Sequence, residues 1–516
     1  MKKLPAALLA ALLPAAGLAQ QDDAVVVTAT RAPQPSLQVP ASVDRIHADE
    51  IREGRAQVNL SESLGRVPGI VVQNRQNYAQ DLQISSRGFG ARSTFGVRGI
   101  RLIADGIPAT MPDGQGQAAT FSLGSAQRIE VLRGPFSSLY GNASGGVIAI
   151  ETREGPQTPT AEADFLVGSY DTWRAGVLFG GQWGALNAIG DFSRFETDGY
   201  RDHSAARRDH LNAKLRYSLN PDTTLTLVAN SLRQPDTQDP LGLSRADFEA
   251  NPRQVHPNAV LLDTRKTVNQ DQAGTTLSHR LGQGRLEATL YGGERFVEQF
   301  LAIPVAFQGA ATHSGGVVNL DRGYGGGALR WSWNSGAIRF SAGVEHERMD
   351  ERRRGFINNN GVAGNLKRDE DNEVTSTDFY AQAEWRFAER WSLHGGARHS
   401  RVRFTSEDHF IIAGNPDDSG ERSFRATTPV VGLLYRLSPR VSLYGNLGRG
   451  FETPTFAELA YRSGGLTGLN LALEASRSRH AELGAKAVLA GSVRLNGALF
   501  DIVTEDEIVV EQNQGG

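Results

Sequence analysis

From Thr160 to the end of the chain, apolar and polar residues alternate in segment after segment, the period-two pattern of strands with two unlike faces. Leu211, Ala213, Leu215, Tyr217 and Leu219 oppose His210, Asn212, Lys214, Arg216 and Ser218. Phe379, Ala381, Ala383, Trp385 and Phe387 likewise oppose Asp378, Tyr380, Gln382, Glu384 and Arg386. The polar set carries charges, which a water-filled or plugged lumen accepts, and the apolar set then faces lipid. A water-soluble β-sandwich is the competing architecture, but its inner face is dry and its strands are shorter than these runs. The expected fold is therefore an all-β transmembrane barrel of antiparallel strands.

The connections separate two ends of that barrel. Short turns fall at Asn220 to Asp222, Gly282 to Gly284, Asn334 to Gly336, Ala388 to Arg390 and Ser438 to Arg440. Long connections lie between them, at Gln234 to Asn269, Ile303 to Arg322, Asp350 to Glu373, Ser406 to Arg422 and Glu452 to Ala475. Short periplasmic turns opposite long external loops are the arrangement of outer-membrane barrels. The segments number roughly 15, whereas barrels wide enough to hold a plug have about 22 strands. The last strand, around Val493 to Asp501, is expected to run outward, with no closing strand after it. Residues 160–516 are thus read as a partial barrel and the sequence as C-terminally truncated.

Composition fits once the alternation is taken into account. A mean hydropathy of -0.35 excludes a helical membrane protein, yet strands that alternate cancel their own hydropathy average. The apolar stretch Leu4 to Leu13, with Lys2 and Lys3 before it, reads as a secretory signal peptide over residues 1–19, cut after Ala19. Absence of cysteine suits an exported chain without disulfides, and a formal charge of -3 argues against nucleic acid as a partner.

Residues 41–153 form a separate unit of α+β character. Asn59 followed by Glu62 gives a capping-box pattern, so its first helix is expected to start there. In IEVLRGPFSSLYGNASGGVIAIET, Ile129 to Thr152, strand, tight turn, brief helix and strand succeed one another, with Pro135 suited to open the helix and Gly141 to end it. Together with DGIPATMPDGQGQ at Asp105 to Gln117, this segment is similar to the plug domain of TonB-dependent outer-membrane receptors. YGNLGRGFETPTFAELAYR at Tyr444 to Arg462 and GLNLALEASRSRHAELGAKA at Gly468 to Ala487 resemble late-barrel motifs of the same family. RGIRLIADGIPATMPDGQGQ, from Arg98 to Gln117, resembles the ferric-citrate-type branch.

Ahead of the plug lies AVVVTATR, an exposed strand candidate stopped by Pro33, Pro35 and Pro40 within residues 20–40. By itself it reads equally as a sticky mobile terminus. The resemblance implies a TonB box, with Val25, Val26, Val27, Thr28 and Ala29 pairing by strand addition with the periplasmic TonB energy-coupling protein.

No phosphate loop, H-E-x-x-H, C-x-x-C or G-x-S-x-G motif occurs, so the chain is not read as an enzyme and no cofactor is expected. His203 and His210 beside Arg207 and Arg208, and the acidic run Pro416 to Ser419, read as solvated loops; no metal site is assigned. Guanidinium forks hold carboxylates, and a ferric chelate with carboxylate arms is an anion. Arg75, Arg92 and Arg98 near the plug loops, with Asp113 and Gln115 in the third, and Arg201, Arg207 and Arg208 on a long external loop, form the candidate ligand set. A hydrated surface, or arginines meeting lipopolysaccharide phosphates, is the alternative for them. The resemblance further implies plug arginines paired with barrel glutamates: Arg87 and Arg133, with Glu294, Glu345 and Glu347 as barrel candidates. The implied function is import of a ferric siderophore or ferric-citrate-like chelate by a monomer in outer-membrane lipid and lipopolysaccharide. Energised uptake of cobalamin, a copper complex or an oligosaccharide, or a passive porin or adhesin, are the other readings.

Overall fold

The computed structural model describes residues 26–27, 34–93, 96–460, 462, 468–489 and 493–509. The expected signal peptide, and Val25, Thr28 and Ala29 of the box, lie outside these. Val26 and Val27 form a short strand paired antiparallel with Gln34–Pro35.

Fifteen antiparallel strands, from Thr160–Val167 to Arg494–Glu505, make one sheet in strict sequence order. Among the described residues, these first and last strands each pair with one neighbour and not with each other. All five short turns anticipated in the sequence are hairpin turns, for example between Arg265–Leu281 and Gly284–Phe300. One long connection is corrected. Asp350 to Glu373 is not a loop but the upper part of a tall hairpin, Ile338–Asn359 with Val362–Ala388, turned by Asn360 and Gly361 alone. Both turn residues have positive φ, +51° and +88°, as a two-residue hairpin loop of the Asn-Gly type requires.

The outer face of the sheet is apolar: Val177, Phe179, Leu211, Leu290, Phe379, Leu447 and Leu483 are all exposed. Near the short-turn end it carries aromatic residues, with Trp183, Tyr217, Trp331, Trp385 and Trp391 exposed and Trp391 against Tyr435 at 4.6 Å between ring centres. An apolar band edged by Trp and Tyr is what a lipid bilayer with its headgroup interface selects.

Residues 42–152 fold into a sheet of five strands in the order Ser42–His47, Ala126–Arg133, Gly146–Thr152, Ile100–Ala104, Ile107–Pro108. The pair Ile100–Ala104 and Gly146–Thr152 is parallel, the other pairings antiparallel. Ile46, Ile51, Leu64, Ile84, Leu102, Ile129 and Ile148 are its dry centre. Helix Ala48–Arg52 precedes the expected first helix, a correction. The signal at Asn59 produces the four-residue helix Ser61–Leu64, whose Glu62 carboxylate accepts the amides of Gln57, Val58 and Asn59 at 2.7 to 2.8 Å. Pro135–Tyr140 is a 3-10 turn, followed by Gly141 at φ +94°. Side chains of this unit touch strands all along the sheet: Ser125 meets Asn212, Asp81 meets Lys266, Gln115 meets Arg322 and Arg87 meets Glu482. The unit therefore lies inside the curved wall, against its polar face.

Candidate functional site

Two regions hold functional side chains: the seam between plug and wall, and the outward end where the plug loops meet the external loops. At the seam the structure pairs residues differently from the sequence expectation. Arg87 donates to Glu482 at 2.6 Å, with both side chains under 5% exposed. Glu482 also accepts from Ser42 at 2.7 Å and Tyr444 at 2.6 Å, so one carboxylate ties two plug segments to the wall. Gly134 sits against it; a Cβ there would lie 2.5 Å from Glu482 Oε2, and φ is +90°. Arg133 is corrected: its guanidinium goes to Asp44 and the Pro68 carbonyl, both within the plug. Glu347 receives Arg101 together with the Tyr291 hydroxyl, the latter at 3.0 Å. Glu345 receives Arg398 at 2.6 Å, a wall arginine that also donates to the plug carbonyl of Leu139 at 2.9 Å. Glu294 is corrected too: it is exposed on the outer face, opposite in phase to buried Arg295.

At the outward end, an external loop folds inward. Its helix Phe456–Leu459 is capped by Thr455 and Glu458 and packs Phe456 against Phe404 at 5.1 Å between ring centres. Arg98 donates to Glu458 at 2.7 Å and lies 3.9 Å from Glu452. Asp113 is fully buried and accepts the amides of Gln115 at 3.0 Å and Phe456 at 3.3 Å. Burial pushes its carboxyl above the ordinary range, with Arg322 and the amides opposing. Gln115 in turn accepts from Arg322 at 3.0 Å.

The remaining arginines scatter. Arg75 and Arg92 are exposed. Arg201 holds the loop carbonyls of Gln254 and Pro240, at 2.9 and 3.1 Å. Arg207 and Arg208 are corrected from loop to strand, being the second and third residues of Ala206–Asn220, and so point to opposite faces. Arg207 pairs outside with Asp209 at 2.7 Å; Arg208 is buried inside, donating to the Val58 carbonyl at 2.7 Å and to Gln234 at 3.0 Å.

Sequence reasoning missed the inward-facing cations Lys266, Arg295 and Arg322. Lys266 pairs with plug Asp81 at 2.8 Å, and Arg322 with Glu351 at 2.5 Å. Arg295 is 1% exposed and donates to Gln270 at 2.6 Å, while its Nε and Nη2 have no hydrogen-bond partner. A signal for them existed: a charge on the inward phase of a strand has only the plug or the lumen to face.

A lipid-facing wall, a globular plug inside it and an inward-closing external loop define a plugged outer-membrane β-barrel. The chain belongs to the TonB-dependent receptors: residues 157–516 match the family described as TonB dependent receptor-like, beta-barrel, and residues 35–147 match the TonB-dependent Receptor Plug Domain. It is 23% identical over 429 residues to the metal-pseudopaline receptor CntO of Pseudomonas aeruginosa, covering 76% of this chain and 58% of that protein. To the iron-regulated outer membrane virulence protein of Vibrio cholerae it is 31% identical over 245 residues, 43% of this chain and 35% of that protein. The fold is similar to that of the unliganded ferric citrate transporter FecA, with a TM-score of 0.72 and 21% identity over 90% of this chain and 70% of that one. It is also similar to the ferric yersiniabactin uptake receptor FyuA of Yersinia pestis, with a TM-score of 0.75 and 21% identity over 91% and 73%. The chain thus spans little more than half the length of one curated relative and about a third of the other.

Proposed function

We propose that this receptor imports an anionic ferric chelate, with force on the box around Val26 and Val27 supplied by the TonB energy-coupling protein. The observation that carries the cargo class is the convergence of Arg208, Lys266 and Arg295, all buried on the inner wall, on a region where the plug offers Asp81 as a carboxylate. A buried, incompletely paired guanidinium favours an anion that brings carboxylate oxygens to it. The ferric citrate transporter FecA and the ferric yersiniabactin uptake receptor FyuA among the structural neighbours support the same reading. Arg98, Asp113 and Gln115 would then frame the apex from the plug side, while Arg75, Arg92, Arg201 and Arg207 would act at first encounter.

The test is iron-limited growth of a host stripped of its own ferric-chelate receptors, with ferric citrate as the iron source, with and without the gene. Growth that requires both the gene and the energy-coupling protein supports the proposal. Gene-dependent growth that survives deletion of Ala24 to Thr30 points to a passive pore. Absence of growth on ferric citrate and on other carboxylate chelates, with uptake of cobalamin or a copper complex instead, overturns the cargo class. A vitamin B12 transporter and a copper transporter among the similar proteins make those two the natural comparison.

A further inference from the structure

The hairpin between strands Ile70–Gln73 and Gln83–Ser86 carries a plug loop, residues 74–82, that leans on the inner wall near its outward end. Contacts other than ion pairs hold most of it: Asn77 donates to Asp239 at 2.8 Å, Gln234 donates to the Tyr78 carbonyl at 2.8 Å, and the Tyr78 ring lies 4.8 Å from that of Phe195. Its ionic contact with the wall is Asp81 to Lys266, at 2.8 Å. The two partners are unequally placed. The Lys266 side chain is 8% exposed and that of Asp81 is 24% exposed, so the carboxylate is the more accessible of the two.

The surroundings are over-supplied with positive charge for one carboxylate. Lys266 first, then Arg295 and Arg208, hold the Asp81 carboxyl below its ordinary range even though burial works the other way. Arg295 makes no hydrogen bond to Asp81, and two of its three guanidinium nitrogens have no acceptor at all. Fork geometry accommodates two carboxylate oxygens; Asp81, already bonded to Lys266, leaves the fork unused.

We propose that Asp81 is a built-in stand-in for a carboxylate of the cargo, occupying the site formed by Lys266, Arg295 and Arg208 until an incoming polycarboxylate chelate displaces it and loosens the plug loop. The proposal rests on the anionic-cargo reading above and extends it to a mechanism of exchange. Displacement has a route inward. Strand Gln83–Ser86 follows the loop directly and ends one residue before Arg87, whose pair with Glu482 fastens the plug to the wall. Loss of the outward ionic contact would thus be felt at the fastening by way of one short strand.

The test uses the chain in outer-membrane vesicles, with a spin label on Cys introduced as Gln76→Cys; the natural sequence has no cysteine, so the label is unique. Free citrate and ferric citrate are the probes, and a neutral ferric trihydroxamate is the control. In the otherwise native chain, citrate should mobilise the label and the trihydroxamate should not. Asp81→Asn, close in shape but uncharged, should leave the label mobile without any probe and tighten ferric citrate binding about tenfold. Lys266→Gln should also mobilise the label while weakening ferric citrate binding. The exchange is overturned if ferric citrate binds while the label stays immobile, or if Asp81→Asn matches the native chain in both mobility and affinity. Should citrate free the loop while no ferric chelate is imported, the exchange site stands and the cargo reading falls.

Discussion

Glu482 does the work that the sequence suggested for other residues. An apolar–polar alternation tells which face of a strand a charge occupies, but not its height along the lumen nor which plug arginine comes level with it. For that reason Arg87 and Arg133 were legible as plug arginines, whereas Glu482 as the partner of one, and Asp44 as the partner of the other, were not. Asp44 stands on a plug strand adjoining that of Arg133, a proximity that appears only once the sheet order is known. Removing one member of a buried pair strands the other charge, at a cost of about 3 to 5 kcal/mol. Glu482→Ala and Arg87→Ala should therefore each loosen the plug, raise uptake of large antibiotics through the barrel, and show little further effect when combined. Arg133→Ala should lower the stability of the plug itself while leaving the Arg87 fastening in place, measured as faster amide exchange on Ser42–His47 without a matching rise in permeability. A Cβ at Gly134 would press on Glu482 from a left-handed backbone, so Gly134→Ala should phenocopy the Arg87 variant in the same permeability assay.

Helix Phe456–Leu459 shows how an external loop becomes part of the lumen. Phe456 and Leu459 are fully buried among Phe404, Phe424 and Met349 of the wall, and the helix start is tied to plug Asp113. Phe456→Ala removes the ring at the centre of that cluster, a loss of about 3 to 5 kcal/mol, and should open residues 452–475 to added protease on intact cells. Unchanged cleavage would mean that the loop is held by its polar ties to Arg98 and Asn142 instead. Elements of this kind differ in how readable they are. The strands within the bilayer announce themselves because lipid and lumen demand unlike faces. Above the bilayer neither face of a strand meets lipid, polar residues stand on both, the alternation lapses, and Asp350 to Glu373 reads as loop although it is sheet. The Asn360-Gly361 pair was the surviving signal for a hairpin there. Helix Ala48–Arg52 was missed because five residues are too few for a periodic pattern to show.

Plug and wall join through side chains rather than through a shared sheet, by ion pairs and hydrogen bonds together with apolar bridges where Met111 joins the wall cluster of Phe404 and where Phe136 and Leu139 meet Val430. All six tryptophans lie on wall strands, at positions 173, 183, 331, 333, 385 and 391. In a urea titration, exchange of the amides of Ile84, Leu102 and Ile129 should rise at concentrations that leave tryptophan emission unchanged. Coincident transitions would instead make plug and wall one cooperative unit. At this scale the sequence was most informative: a lipid-facing barrel around an α+β plug follows from the alternation and the plug motifs, and the strand count from the turns.

The tall hairpin reaches well past the membrane. Its shorter strand has 22 residues, and at about 3.3 Å per residue such a ribbon runs roughly 70 Å along the strands, against a hydrocarbon layer about 30 Å thick. An epitope inserted between Asn360 and Gly361 would accordingly be displayed outside the cell, where an antibody reads it on living bacteria, although the insertion would have to give up the ties from Arg265 to the Gly361 carbonyl at 3.4 Å.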